Sequence, residues 1–154
     1  MASRPDGFLN VDLELGARSR AALAPLVEEF DRRMVSLWHG RIKSLYRAHY
    51  EVHLCARGVN ATLHELAARI ETLRGPARRA WNAAALRDFN IGVELERGVR
   101  NIELPLDDAA VRRVLALRGR IVFTAYQESA IQPRRRRPKK PKPLGSDTTR
   151  TSSS

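Results

Sequence analysis

From Phe8 to Leu15 the chain alternates side chains with a period of two, and this pattern constrains the fold more than any other feature of the sequence. Leu9, Val11, Leu13 and Leu15 fall to one side, while Phe8, Asn10, Asp12 and Glu14 fall to the other. An extended strand sends successive side chains to opposite faces, so such a run is a strand with one buried face and one wet face. The pattern returns twice. Tyr46, Ala48, Tyr50, Val52 and Leu54 alternate with Arg47, His49, Glu51, His53 and Cys55, and Phe89, Ile91, Val93 and Leu95 alternate with Asn90, Gly92, Glu94 and Glu96. Two further strands are expected at Met34–His39 and Arg120–Gln127, with 39–44 as a polar hairpin loop. Arg100–Leu104, stopped by Pro105, is a candidate for a short edge strand.

Between these runs the apolar spacing becomes helical. Leu23, Leu26, Val27 and Phe30 make one stripe on a helix ending near Arg33. Pro25 is tolerated if it sits in the first turn, which puts the start at 21–22. Thr62 and Glu65 have capping-box spacing and introduce Leu63, Leu66, Ala67, Ile70 and Leu73. Gly75 stops that helix, and Pro76 opens another that carries Ala80, Trp81 and Ala84. Asp107 caps a last helix over Asp108–Arg118, and Gly119 ends it.

The order β-α-β-β-α-α-β-(β)-α-β, with one-sided strands, predicts an α+β two-layer sandwich. Its sheet is mainly antiparallel, with helices on one face only. The first part matches a ferredoxin-like βαββαβ core, extended by a C-terminal helix and strand. One globular domain is expected over 6–130.

Composition separates a tail, 131–154, from that domain. The chain carries +11, yet residues 133–154 alone hold Arg134, Arg135, Arg136, Arg137, Lys139, Lys140, Lys142 and Arg150 against Asp147, or +7. The remaining +4 is spread over 132 residues. Four prolines interleave with the charges and no apolar residue lies within 133–143, so the tail is expected to be disordered on its own. Arg134–Arg137, Lys139, Lys140 and Lys142 are candidate contacts to nucleic acid or another polyanion, through a salt-dependent and sequence-blind mode. No aromatic residue is available there for base stacking.

Several classes are disfavoured. No apolar run approaches the ~20 residues of a membrane span, and the first residues lack a secretory h-region, so a cytoplasmic protein is expected, or a nuclear one in a eukaryotic or viral host. A single cysteine, Cys55, forbids an internal disulfide and a four-cysteine zinc site. No Gly-rich phosphate loop and no nucleophile elbow occurs. His49, Glu51 and His53 share one strand face, close enough in principle to hold a metal with His39 across the hairpin, which would make a metal-dependent enzyme. A solvated sheet face accounts for the same residues without a ligand, so no metal, cofactor or catalytic residue is assigned. If neighbouring strands carry them, Asp12, Glu14, Glu94 and Glu96 would set an acidic patch beside the His/Arg strand. His64 is placed in an exposed first turn. Trp38 lies off the Val35/Leu37 face, and with Arg47, His49, Glu51 and His53 it forms the candidate partner-binding set. Core burial remains the commoner fate of a tryptophan.

Phe8–Leu15, the stretch Ala77-Arg78-Arg79-Ala80-Trp81 followed by Arg87-Asp88-Phe89-Asn90-Ile91-Gly92, and the strand Ile121–Tyr126 together resemble an uncharacterised family of small bacterial α+β single-domain proteins, some of them immunity-like. The resemblance covers about 8–127. It implies that Trp81 is a helix anchor and that Phe89–Gly92 is a structural strand, and it brings no known chemistry. The leading expectation is a non-enzymatic protein-binding module of inhibitor or immunity type, using the exposed sheet face. An accessory nucleic-acid binder acting through the tail is the alternative.

Overall fold

The computed structural model describes residues 7–53, 58–95, 98 and 101–127. The elements run β1 (Phe8–Ala17), α1 (Arg20–Asp31), β2 (Val35–Ile42), β3 (Leu45–Glu51), α2 (Val59–Glu71), α3 (Gly75–Ala83), β4 (Leu86–Leu95), α4 (Asp108–Ala116) and β5 (Arg120–Gln127). The strands form one sheet in the order β2-β3-β1-β4-β5. β1 pairs antiparallel with β3 and β4, β2 pairs antiparallel with β3, and β5 alone is parallel, to β4. The first four strands have the order of a ferredoxin-like core, and α4–β5 adds a βαβ unit beyond β4. The protein is the expected two-layer α+β sandwich.

The apolar half of each alternating strand meets the helices. Val11, Leu13, Leu15, Ala48, Tyr50, Phe89, Ile91 and Val93 share one buried cluster with helix residues Leu23, Leu26, Phe30, Leu63, Leu66, Ile70, Trp81, Ala110 and Val114. Each large side chain so buried contributes about 1.5–3 kcal/mol by removal from water. Phe30 meets Tyr50 edge to face, with ring centroids 5.5 Å apart. Trp81 is buried, and its Nε1 donates to the Leu117 carbonyl at 3.1 Å, tying α3 to the end of α4. Arginine side chains close the ends of two helices. Arg78 donates to the Ile70, Glu71 and Leu73 carbonyls after α2, and Arg87 to those of Trp81, Asn82, Ala84 and Arg118 after α3. Carbonyls run short of intrahelical partners at a helix end, and a planar guanidinium with five donors reaches several at once.

Several local expectations are corrected. Phe8 is buried and Leu9 exposed, because the β1–β4 register shifts between Phe8 and Asn10 and this bulge reverses the alternation. α1 starts at Arg20, one to two residues before the expected 21–22: Ser19 is the N-cap, accepting from the Ala22 N–H at 3.2 Å, and Pro25 lies inside the helix. Proline there removes one early hydrogen bond, which the buried Leu23, Leu26 and Phe30 outweigh. β2 continues through the predicted loop to Ile42, which pairs with Leu45, so only Lys43 and Ser44 turn the chain, Lys43 at a φ of 53°. Thr62 is not an N-cap. α2 begins at Val59, and the buried Thr62 hydroxyl donates back to the Gly58 carbonyl, while Glu65 pairs with Arg69. β3 stops at Glu51, so the expected alternation to Leu54 and Cys55 runs partly outside the described residues. No strand forms over 101–104. His64 is half-buried, with Arg113 Nη1 at 3.1 Å from its Nδ1 and Asp107 Oδ1 at 3.4 Å from its Nε2. The tail candidates Arg134–Arg137, Lys139, Lys140 and Lys142 lie outside the described residues, as do Cys55 and Glu96.

Candidate functional site

No helix among the described residues covers the second face of the sheet, and a single transverse row crosses all five strands there. Trp38 on β2 stands opposite His49 on β3, His49 opposite Glu14 on β1, Glu14 opposite Asp88 on β4, and Asp88 beside Arg120 on β5. The next row on this face holds Glu51, Asp12, Asn90 and Val122. β1 is the centre strand, and its Asp12 and Glu14 therefore lie between the polar face of β3 and that of β4. The acidic patch beside the His/Arg strand is thus assembled by Asp12 and Glu14.

These polar groups hold one another. Glu14 accepts from Asn90 Nδ2 at 2.7 Å and from Arg47 Nη2 at 3.3 Å. The Asn90 carbonyl oxygen in turn accepts from the Thr124 hydroxyl at 2.7 Å. Asn10 Nδ2 donates to Asp12 at 2.7 Å, and its side chain lies over Gly92, where a Cβ would collide with it. Arg120 grips Asp88 with two bonds of 2.8 Å, and Asp88 is buried beneath it. A cluster this fully bonded is rigid, because each side chain is fixed by its neighbours.

Two features leave the face unfinished. Burial pushes the Asp12 carboxyl up to about 6, and the negative charges of Glu51 and Glu14 add to the shift. Glu51 faces this aspartate without an ion pair among the described residues, and like charges on adjacent strands repel. The second feature is that Arg47 Nε and His49 Nε2 are shut away from solvent without a hydrogen-bond partner among the described residues. The nearest carboxylate oxygen to His49 Nε2, on Glu14, is 3.9 Å away. Burial lowers the pKa of His49, against the pull of Glu14 and helped by Arg47 and His39, so the ring is neutral at pH 7. Unpaired buried polar atoms are rare in folded proteins, and each one is costly.

Aromatic rings stand at both margins. Trp38 is 42% exposed, lies across Gly40 where any Cβ would strike its ring, and meets His49 edge-on at 5.4 Å. Tyr126 is 49% exposed at the β5 side, near Gly92. Of the candidate contact residues, the sheet brings together Trp38, Arg47, His49 and Glu51. His53 stands apart, exposed in the turn after β3. Asn10, Asn90, Thr124 and Tyr126 join the face without having been singled out. Their polar positions on alternating strands were visible, but their convergence depends on strand order.

The metal alternative does not assemble among the described residues, and neither does a nucleophilic triad. His39 pairs with Ala48, a core position, and its ring stands near Tyr50 and Asp31 on the helix side, away from His49. No group of three or more His, Cys, Asp or Glu among the described residues is placed to hold a metal ion. Ser36 Oγ lies 2.9 Å from His39 Nε2, but Asp31 approaches the same nitrogen at 3.7 Å. In a nucleophilic triad the hydroxyl and the acid address opposite ring nitrogens. Asp31 instead accepts the Tyr50 phenol proton at 2.9 Å, and burial followed by this bond holds that phenol's pKa well above its usual value.

No helix among the described residues is long and apolar enough to cross a membrane. Comparison with protein-family models, with curated proteins and with solved structures gives no match for this chain.

Proposed function

We propose that the chain is a non-enzymatic protein-binding module, of inhibitor or immunity type, that receives its partner on the open sheet face. The observation carrying this proposal is the pair of unsatisfied nitrogens, Arg47 Nε and His49 Nε2, beneath an exposed Trp38. A partner that displaces the indole supplies an acceptor to Arg47 Nε and a hydrogen-bonding group matched to the tautomer at His49 Nε2, and it buries the ring; tryptophan is enriched among interface hot spots. The bonded network from Asn10 to Thr124 keeps the surface ordered before contact, which lowers the cost of association. The resemblance to small bacterial proteins, some of them immunity-like, points the same way.

The test compares protein partners captured by the full chain with those captured by Trp38→Ala and Glu51→Lys. A specific partner should be captured by the parent and lost by roughly thirtyfold or more in each variant, since a hot-spot substitution costs at least ~2 kcal/mol. Equal capture by correctly folded variants, or no specific partner at all, would sink the proposal.

The basic run from Arg134 to Lys142 favours a second function, nucleic-acid binding through the tail. Deleting 133–154 should then abolish nucleic-acid binding together with its steep salt dependence. Binding that survives the deletion would exclude the tail as the reader.

A further inference from the structure

We infer that the chain self-associates through the outer edge of β5, forming a two-fold dimer with one continuous ten-stranded sheet. The inference starts from an asymmetry between the two edge strands. β2 is blunted: its register against β3 shifts between Ser36 and Trp38, Trp38 folds over Gly40, and Arg41 and Lys43 stand at its end. Bulges and charges of this kind are how sheets stop strangers from pairing with them. β5 has none of these devices. It keeps an unbroken register with β4 from Arg120 to Gln127 and contains no proline, and its one charged residue, Arg120, is tied to Asp88. Among the described residues no strand pairs with its outer side.

The side chains of β5 match those of a second copy. Antiparallel pairing of β5 with itself must match residues that point to the same face, and a register centred on Phe123 does so throughout. Phe123, 54% exposed on the helix side, would meet Phe123 of the second copy. Ile121 would meet Ala125, and Val122 would meet Thr124. On the open face Arg120 would meet Tyr126 of the second copy, a guanidinium against a phenol ring. Leu115, 60% exposed, is the large apolar side chain that α4 leaves uncovered. Pairing consumes the bare edge and leaves a blunted β2 at each end, so the assembly closes at two copies and does not grow into a fibre. The two-fold axis is perpendicular to the sheet, so both open faces look the same way.

Sedimentation equilibrium on the full chain, from low to high micromolar concentration, tests this directly. The parent should approach twice its 17.4 kDa mass. Phe123→Lys and Ala125→Lys should weaken self-association by at least tenfold with unchanged circular dichroism, and Leu37→Lys on the opposite edge should not. In a Cys55→Ser background, Phe123→Cys should form a disulfide-linked dimer under mild oxidation, which also reports the register. If the β5 variants do not fold, concentration-dependent hydrogen exchange of the parent's β5 amides decides the matter. A monomer at every concentration overturns the inference, whether its β5 amides exchange freely or are protected by another part of the chain. A dimer indifferent to β5 substitutions but sensitive to Leu37→Lys overturns it equally.

Discussion

The helix-covered side of the sheet and its open side are drawn from alternate residues of the same strands, yet they are held together by different forces. Beneath the helices, Leu13, Tyr50 and Ile91 are wholly buried among apolar neighbours, and stability there follows the area taken from water. On the open side Asp12, Glu14, His49 and Asn90 are half-buried among one another, ordered by hydrogen bonds that bring little net stability and carrying a repulsive carboxylate pair. One side maximises stability. The other gives some of it up to keep a charged, ordered surface in water.

Substitutions can break this contrast if it is wrong. The largest effect is expected for Trp81→Ala, which removes a buried indole and leaves the Leu117 carbonyl without its donor: about 3–5 kcal/mol lost, read from chemical denaturation. A loss below 1 kcal/mol would mean that α3 and α4 are not joined as described. The opposite sign is expected for Asp12→Asn. Asp12's carboxyl titrates at about 6 in the folded chain and near 3.8 when unfolded, so the native state holds the proton more tightly. Stability contributed by this group is present below about pH 4 and is lost as pH rises through 6. Asn keeps the shape and removes the charge. Discounted for partial exposure, the gain at pH 7 is on the order of 1 kcal/mol, and it should vanish near pH 4. A denaturation series from pH 4 to 8 checks both sign and window. His49 has the opposite dependence: its lowered pKa means that the unfolded state takes up the proton first, so it destabilises the fold as pH falls through its unfolded value. The smallest effect, within about 0.5 kcal/mol, is expected for Trp38→Ala, whose partly exposed ring lies at the sheet edge across Gly40 and against His49. A large stability loss there would recast Trp38 as a packing residue and weaken its assignment to binding.

Much of this was legible in the chain. The alternation in 8–15, 45–51 and 89–95 specified which side of each strand meets the helices, and Asp107 and Gly119 bracketed the last helix closely. Misreadings came where a local signal met a stronger tertiary one. The Thr62/Glu65 pair looks like a helix start, but the buried Val59 nearly one turn earlier carries α2 further back. The Phe8 inversion could not be read, because a bulge follows from pairing with β4 and leaves no mark on β1 itself. The site was half-visible for the same reason. His49, Glu51 and Arg47 share a strand and so announce themselves, whereas Asn10, Asn90 and Thr124 come from three strands whose adjacency is a fact of topology.

The bond from Trp81 to Leu117 has a consequence for how the molecule can be divided. The first four strands match a fold familiar as a free-standing unit, which invites treating α4 and β5 as an optional appendage. The indole that fixes α3 instead finds its acceptor in that appendage, and Phe89 of β4 packs against Gly119 within it. A version trimmed before residue 107 would uncover its own interior, so the four-stranded portion is not an autonomous module that could be excised, swapped or inherited alone.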